Sequence, residues 1–315
     1  MSIPGQSFNI RDSGRNTPPA ASTFVYMGCS EKGSVSELVA CADQNQVLDA
    51  FGEGSLSEDL CRALQESTPV YGVRLTGSVA GVAGSVTKTP SGTPGTGTIT
   101  VAGAPFDAYS VQVVITAPGT VAVGEFQYTL DGGQSFSPSL QIPSGGTYPI
   151  PKTNLTLTFV PGVGTGGTFN LADLHTFTCT APGFSTNDLL AGVAVLLAAN
   201  VQFAAIVLSK VFASASAATP FAAAMSGHAA SLFTRFNFVG FFIDAGGDNP
   251  ATTKAGFATA AFADTRAVVG YGYADIVTSK PNVGWSVARR PNSSVAAARI
   301  ASLLPSTDAA NLVDP

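Results

Sequence analysis

Between residues 77 and 183 the chain changes texture. Gly, Thr and Pro crowd a run of short alternating segments, while the flanking residues are Ala-rich and alternate strand-forming with helix-forming stretches. Period-two alternation punctuated by Gly reads as strands and turns. Strands that alternate with helices read as a largely parallel sheet covered on both faces. The two textures together predict an α/β (α+β) core split by an inserted all-β domain. The expected division is an extended N-terminal arm over 1–22, the first part of the α/β core over 23–77, a sandwich- or barrel-like β insertion over 78–183, and the second part of the core over 184–315.

The arm follows from its backbone chemistry. Pro4, Pro18 and Pro19 forbid helix, and Gly5 and Gly14 loosen the chain. Ser7-Phe8-Asn9-Ile10-Arg11 alternates polar and apolar as a short strand with nothing local to pair with. An extended arm of about 20 residues reaches roughly 66 Å, far enough to join a sheet on another subunit. Ile3, Phe8, Asn9, Ile10 and Arg11 are therefore candidate inter-subunit contacts; the alternative reading is a disordered tail.

In the core, residues 23–28 read as a buried strand. Asp43 is placed to cap a helix that ends at Gly52, and Ser57 to cap a second helix over 58–67. Residues 70–75 form the next strand, in a right-handed crossover. In the insertion, strands are expected over 96–101, 109–116, 155–159 and 176–179, with a hairpin turning at Asp131-Gly132-Gly133 and Phe136 and Leu140 on its return strand. Beyond Gly183, Ser185 or Thr186 caps a helix to Ala199, Pro220 starts one to Arg235, Pro250 one to Ala263, and Ser293 or Ser294 caps the last to Leu304. Strands are expected over 203–208, 238–243 and 267–271.

Charged residues make up 11% of the chain, against about 25% in ordinary soluble domains, which points first to extensive subunit contact and second to secretion or a viral particle. The net charge of −5 and the missing basic stripe argue against nucleic-acid binding. Mean hydropathy is +0.29, yet the most apolar stretch, 189–208, is broken by Asn200 and Gln202, so no membrane insertion is expected. Residues 1–16 lack the pattern of a signal peptide. Cys29, Cys41, Cys61 and Cys179 lie far apart and read as reduced, buried thiols of a protein made in the cytoplasm.

Catalytic patterns are sparse. There is no GxSxG, GxxxxGK or HExxH. The Gly-rich run 162–167 lies between strands with no helix behind it, and reads as a turn. His175 and His228 have no ligand partners at metal-binding spacing. Asp244 and Asp248 sit at a strand's C-terminal end, where α/β proteins place active sites, but they also read as ordinary turn residues. Arg289, Arg290 and Arg299 concentrate positive charge around the last helix, either paired at the surface or poised for an acidic partner.

Two segments carry a family resemblance. Val70-Tyr71-Gly72-Val73-Arg74, after a helical stretch, resembles the strand "vyavRv" of contractile phage tail sheath proteins. The run 289–299, Arg-Arg-Pro-Asn-Ser-Ser-Val-Ala-Ala-Ala-Arg, is similar to "RRPvswAaaaR" of some sheaths. The arm and the inserted β domain follow the same plan. The resemblance implies a virion structural subunit, made in the host bacterial cytoplasm, that forms stacked hexameric rings around an inner tube. Contraction of the rings then drives the tube through the host envelope. It implies copies of itself, the inner tail tube protein, and baseplate and tail terminator proteins as partners, with no cofactor and no enzymatic activity. Arg289, Arg290 and Arg299 become candidates for tube contact. Sheath proteins continue beyond the RRP helix, whereas this sequence stops at Pro315. The expectation is therefore either a short arm over 305–315 or an incomplete chain. An α/β enzyme with an inserted β domain, and a surface protein whose insertion grips carbohydrate, are the alternatives.

Overall fold

The computed structural model describes residues 24–89, 95–163, 168–201, 203–210, 212–236, 240–246, 249–259 and 267–301. The expected arm and its contacts Ile3, Phe8, Asn9, Ile10 and Arg11 lie outside the described residues, as do Asp248 and residues 164–167 of the Gly-rich run.

The flanking stretches build one six-stranded sheet. Its strands are β1 (Phe24–Gly28), β2 (Leu38–Cys41), β3 (Val70–Arg74), β13 (Ala205–Ser209), β14 (Gly240–Asp244) and β15 (Ala267–Gly270), in the order β15-β14-β13-β1-β3-β2. All neighbours are parallel except β2, which runs antiparallel to β3 at the edge. Alternate residues of one strand feed opposite faces, as strand geometry requires. Phe24 and Tyr26 pack with Val47, Phe51, Leu56, Leu60 and Ala297, whereas Val25 and Met27 pack with Leu189, Val193, Ala222, Met225 and Phe257. The first face is covered by α1 (Gln44–Phe51), α2 (Ser55–Glu66) and α6 (Asn292–Ala301). The second is covered by α3 (Thr186–Ala198), α4 (Ala215–Phe236) and α5 (Pro250–Thr259). Strand order reverses between β1 and β13, which makes the carboxyl ends of these two strands a topological switch point.

The middle stretch forms two antiparallel sheets on a shared core. One is β10 (Thr147–Ile150), β11 (Leu155–Val160) and β6 (Thr98–Ala102). The other orders β4 (Val82–Ala83), β12 (Leu174–Thr180), β7 (Tyr109–Ala117), β8 (Glu125–Thr129) and β9 (Leu140–Gln141), with β5 (Thr87–Thr89) also on β12. Ile99, Leu157 and Phe159 from the first sheet meet Val111, Val113, Phe126, Tyr128 and Phe177 from the second. The chain enters and leaves through Val79 and Gly183, joined by reciprocal backbone hydrogen bonds of 2.9 and 2.8 Å.

Several local expectations are corrected. Asp43 does cap α1, accepting from the Gln46 N–H at 3.0 Å, and Gly52 closes it at φ 67°. The second helix, however, starts at Ser55 behind Gly54, whose φ of 129° no larger residue adopts easily, so Ser57 lies buried inside the helix rather than capping it. Pro220 does not start α4; it lies in the second turn, and the Ser216 carbonyl that loses its helical donor accepts Thr219 Oγ1 at 3.1 Å instead. The return strand after the Asp131 turn is only β9, and Phe136 is exposed. The last helix starts at Asn292, so Ser293 and Ser294 lie inside its first turn. The unexpected element is a long hairpin, β16 (Tyr273–Asn282) and β17 (Trp285–Pro291).

Candidate assembly site

The hairpin places the Arg289-Arg290-Pro291 segment. Both arginines lie on strand β17 rather than at a helix end, and successive residues of a strand face opposite ways. Arg289 is exposed, its guanidinium 5.0 Å from the centre of the Tyr273 ring. Arg290 points inward and is 2% exposed. Its Nη1 and Nη2 donate to Asp107 of the insertion at 2.8 and 2.6 Å, a bidentate pair. Burial disfavours the cation, but the charge and hydrogen bonds of Asp107 outweigh it and raise the Arg290 pKa above its ordinary value. Arg290, one of the expected tube contacts, thus has its hydrogen-bonding fork engaged by Asp107 inside the chain. Arg299 lies on α6, its side chain 65% exposed and 3.2 Å from Glu66.

The hairpin also straps the sandwich to the α/β body. Trp285 and Ala288 belong to the sandwich core, with the Trp285 ring edge-on to Tyr109 at 5.4 Å. The Leu130 N–H donates to the Gly284 carbonyl at 2.6 Å. Asp131, expected only as a turn residue, accepts from Ser135 and from both the N–H and hydroxyl of Ser286, at 2.7, 2.9 and 3.1 Å. Burial would raise its pKa, but these donors and Thr129 hold it well below the usual carboxylate range. Toward the body, the Ser279 N–H donates to Glu58 on α2 at 2.6 Å, and Glu58 also accepts from Arg62 at 3.3 Å. Glu58, Asp59 and Asp107 were not legible as site residues. The available signal was a pair of adjacent carboxylates in a helix that Leu56 and Leu60 mark as buried.

The remaining candidates are scattered. His175 is buried on β12, and its Nε2 has no hydrogen-bond partner. Burial, helped by the Lys88 charge, pushes its pKa down to about 4 against the pull of Asp173. His228 lies on α4. Asp244 ends β14, accepts from the Gly246 N–H at 2.6 Å, and is pushed up to about 7 by burial. Among the described residues no cluster of His, Cys, Asp and Glu could hold a metal ion, and no helix is long and apolar enough to cross a membrane.

No protein-family model matches the chain, and no curated protein does. Two solved structures are similar to it over most of its length. A sheath tail protein of Listeria innocua matches at 9% identity and a TM-score of 0.38, over 94% of this chain and 59% of that one. A sheath tail protein of Desulfitobacterium hafniense matches at 12% identity and a TM-score of 0.34, over 91% of this chain and 60% of that one. The chain thus spans about 59–60% of the length of these two proteins.

Proposed function

We propose that the chain is a structural subunit of a contractile tail sheath, stacked as hexameric rings around an inner tube that contraction drives through the host envelope. In this reading the sheet built by 23–77 and 184–315 is the ring-forming body, the β-sandwich of 78–183 is an outward decoration, and residues 1–22 are an arm that adds a strand to a neighbouring copy. Copies of itself, the tube protein, and the baseplate and terminator proteins are its partners in the virion. Arg289 and Arg299 remain the candidates for tube contact, being the two arginines of the segment that face solvent.

The observation that carries this reading is the hairpin. Among the described residues β16 pairs with no strand but β17; the Ser279 N–H and carbonyl are taken by Glu58 and Gln44, so the stretch without a partner on its other edge is 273–277. Two-stranded sheets are marginal alone, and an open edge is a template for strand addition. Val277 on this strand is 79% exposed, an apolar side chain at a position that an added strand would cover. The low charge content and the family resemblance of 70–74 and 289–299 point the same way.

Deleting residues 1–16 tests the arm. The truncated chain is expected to keep its circular dichroism spectrum and thermal midpoint while losing ordered polymers in sedimentation and electron microscopy. Unchanged polymerisation would remove the arm from the reading.

A further inference from the structure

The stretch 273–277 of β16 is tied to the α/β body at both ends. At its start the Gly272 N–H donates to the Gly246 carbonyl at 3.0 Å, and the Gly272 carbonyl accepts from the Asn292 N–H at 3.3 Å. At its far end the Ser279 N–H donates to Glu58 at 2.6 Å, and the Ser279 carbonyl accepts from Gln44 Nε2 at 3.2 Å. Between these ties it pairs residue for residue with 287–291, from Tyr273 opposite Pro291 to Val277 opposite Val287, and the register shifts beyond Val277. Among the described residues, the regular part of the hairpin is therefore also the part whose other edge has no strand partner. Natural edges are blunted by charge, proline or bulges. This one, Tyr-Ala-Asp-Ile-Val, carries one charge and no proline.

A two-stranded sheet is marginal in water, so the conformation of the hairpin depends on what grips it. Arg290 sits opposite Ala274, within the regular stretch. Its fork reaches Asp107 of the insertion at 2.8 and 2.6 Å, with both side chains buried. A planar bidentate pair fixes orientation as well as position. The hairpin is thus clasped from two separate parts of the chain, by Asp107 near one end of the stretch and by Glu58 and Gln44 at the other. A buried ion pair is weak evidence for stability, since apolar residues of equal volume often serve as well. What this pair supplies beyond them is geometry.

We propose that Asp107 and Arg290, with Glu58 and Gln44 at the far end, are positioning residues for assembly: they hold 273–277 in the conformation to which a second copy of the chain adds a strand. This rests on the assembly reading above and names the residues that prepare its edge. A preformed edge spares the incoming strand the cost of ordering its template. An edge ordered only part of the time weakens strand addition by the fraction ordered. Loosening the clasp therefore raises the concentration at which polymers form, whereas an equal loss of stability elsewhere in the body does not.

The test combines sedimentation with hydrogen exchange on the full chain. In Asp107→Asn the amides bonded across the hairpin are expected to exchange at least about tenfold faster in the unassembled chain, with β1 and β13 unchanged, and the critical concentration for polymers to rise about tenfold. Gln44→Ala removes only the bond to the Ser279 carbonyl and serves if Asp107→Asn does not fold; its expected rise is about threefold. Val193→Ala, in α3 on the far face of the sheet, opens a cavity without touching the hairpin and is expected to leave the critical concentration unchanged. Wild-type critical concentrations in the clasp variants, unchanged exchange across the hairpin, or an equal effect of Val193→Ala would overturn the proposal and leave the assembly reading standing. A wild-type chain that forms no polymer at any concentration would overturn the assembly reading and this proposal together.

Discussion

Arg290 and Asp107 are separated by 183 positions and meet with two hydrogen bonds in a site closed to water. Removing one member of such a pair leaves the other charged and buried, which costs about 3–5 kcal/mol. Asp107→Asn is expected to lower unfolding free energy by that amount in urea titration; a change below about 1 kcal/mol would mean the pair is no better than a surface contact. Replacing both with apolar residues of similar volume is expected to cost less than the single change. His175 gives a pH dependence of known sign. Its folded pKa of about 4 lies below the ordinary 6.5, so the unfolded chain takes up the proton first as pH falls. The stability from its neutral burial is complete above pH 6.5 and is lost on the way down to about 4, where both states are protonated and the slope flattens. His175→Gln is expected to shallow the fall in melting temperature across that window; an unaltered slope would place the acid sensitivity elsewhere.

Among the elements, those with a local chemical signal were readable. Asp43 and Gly52 bound α1 as expected, and Ser185 forms a reciprocal capping box with Asp188 at the start of α3. Ser185→Ala is expected to cost about 1 kcal/mol, measured as a shift in denaturation midpoint at constant slope, while Ser57→Ala is expected to cost less because Ser57 caps nothing. Elements whose cause is tertiary were not readable. The start of α2 rests on the backbone of Gly54 with no side-chain cap. Pro220 marks a helix start in sequence, yet the turn before it is held by packing of Ala215 and Ala218 on the sheet. The β16–β17 hairpin was missed because Thr278-Ser279-Lys280-Pro281 breaks the apolar alternation. The strand there is held by Glu58 and by the sandwich, neither of which is near in sequence.

At the scale of the molecule, the change of texture at 77 and 183 was enough to foresee strands in the middle and a parallel sheet around them. The order of the sheet was not foreseeable, since it depends on which face each crossover takes. The joint was also invisible: Arg290, read from sequence as a surface charge, instead ties the end of the chain to the sandwich, so that body, hairpin and sandwich share one buried polar seam. In the proposed assembly, this seam would hold the unpaired stretch of β16 against the body while a neighbouring copy adds a strand to it. The most direct measurement is electron microscopy of the purified full-length chain across a concentration series. The assembly account expects rings or tubules that grow with concentration. Monodisperse monomers at every concentration, confirmed by sedimentation, would contradict it.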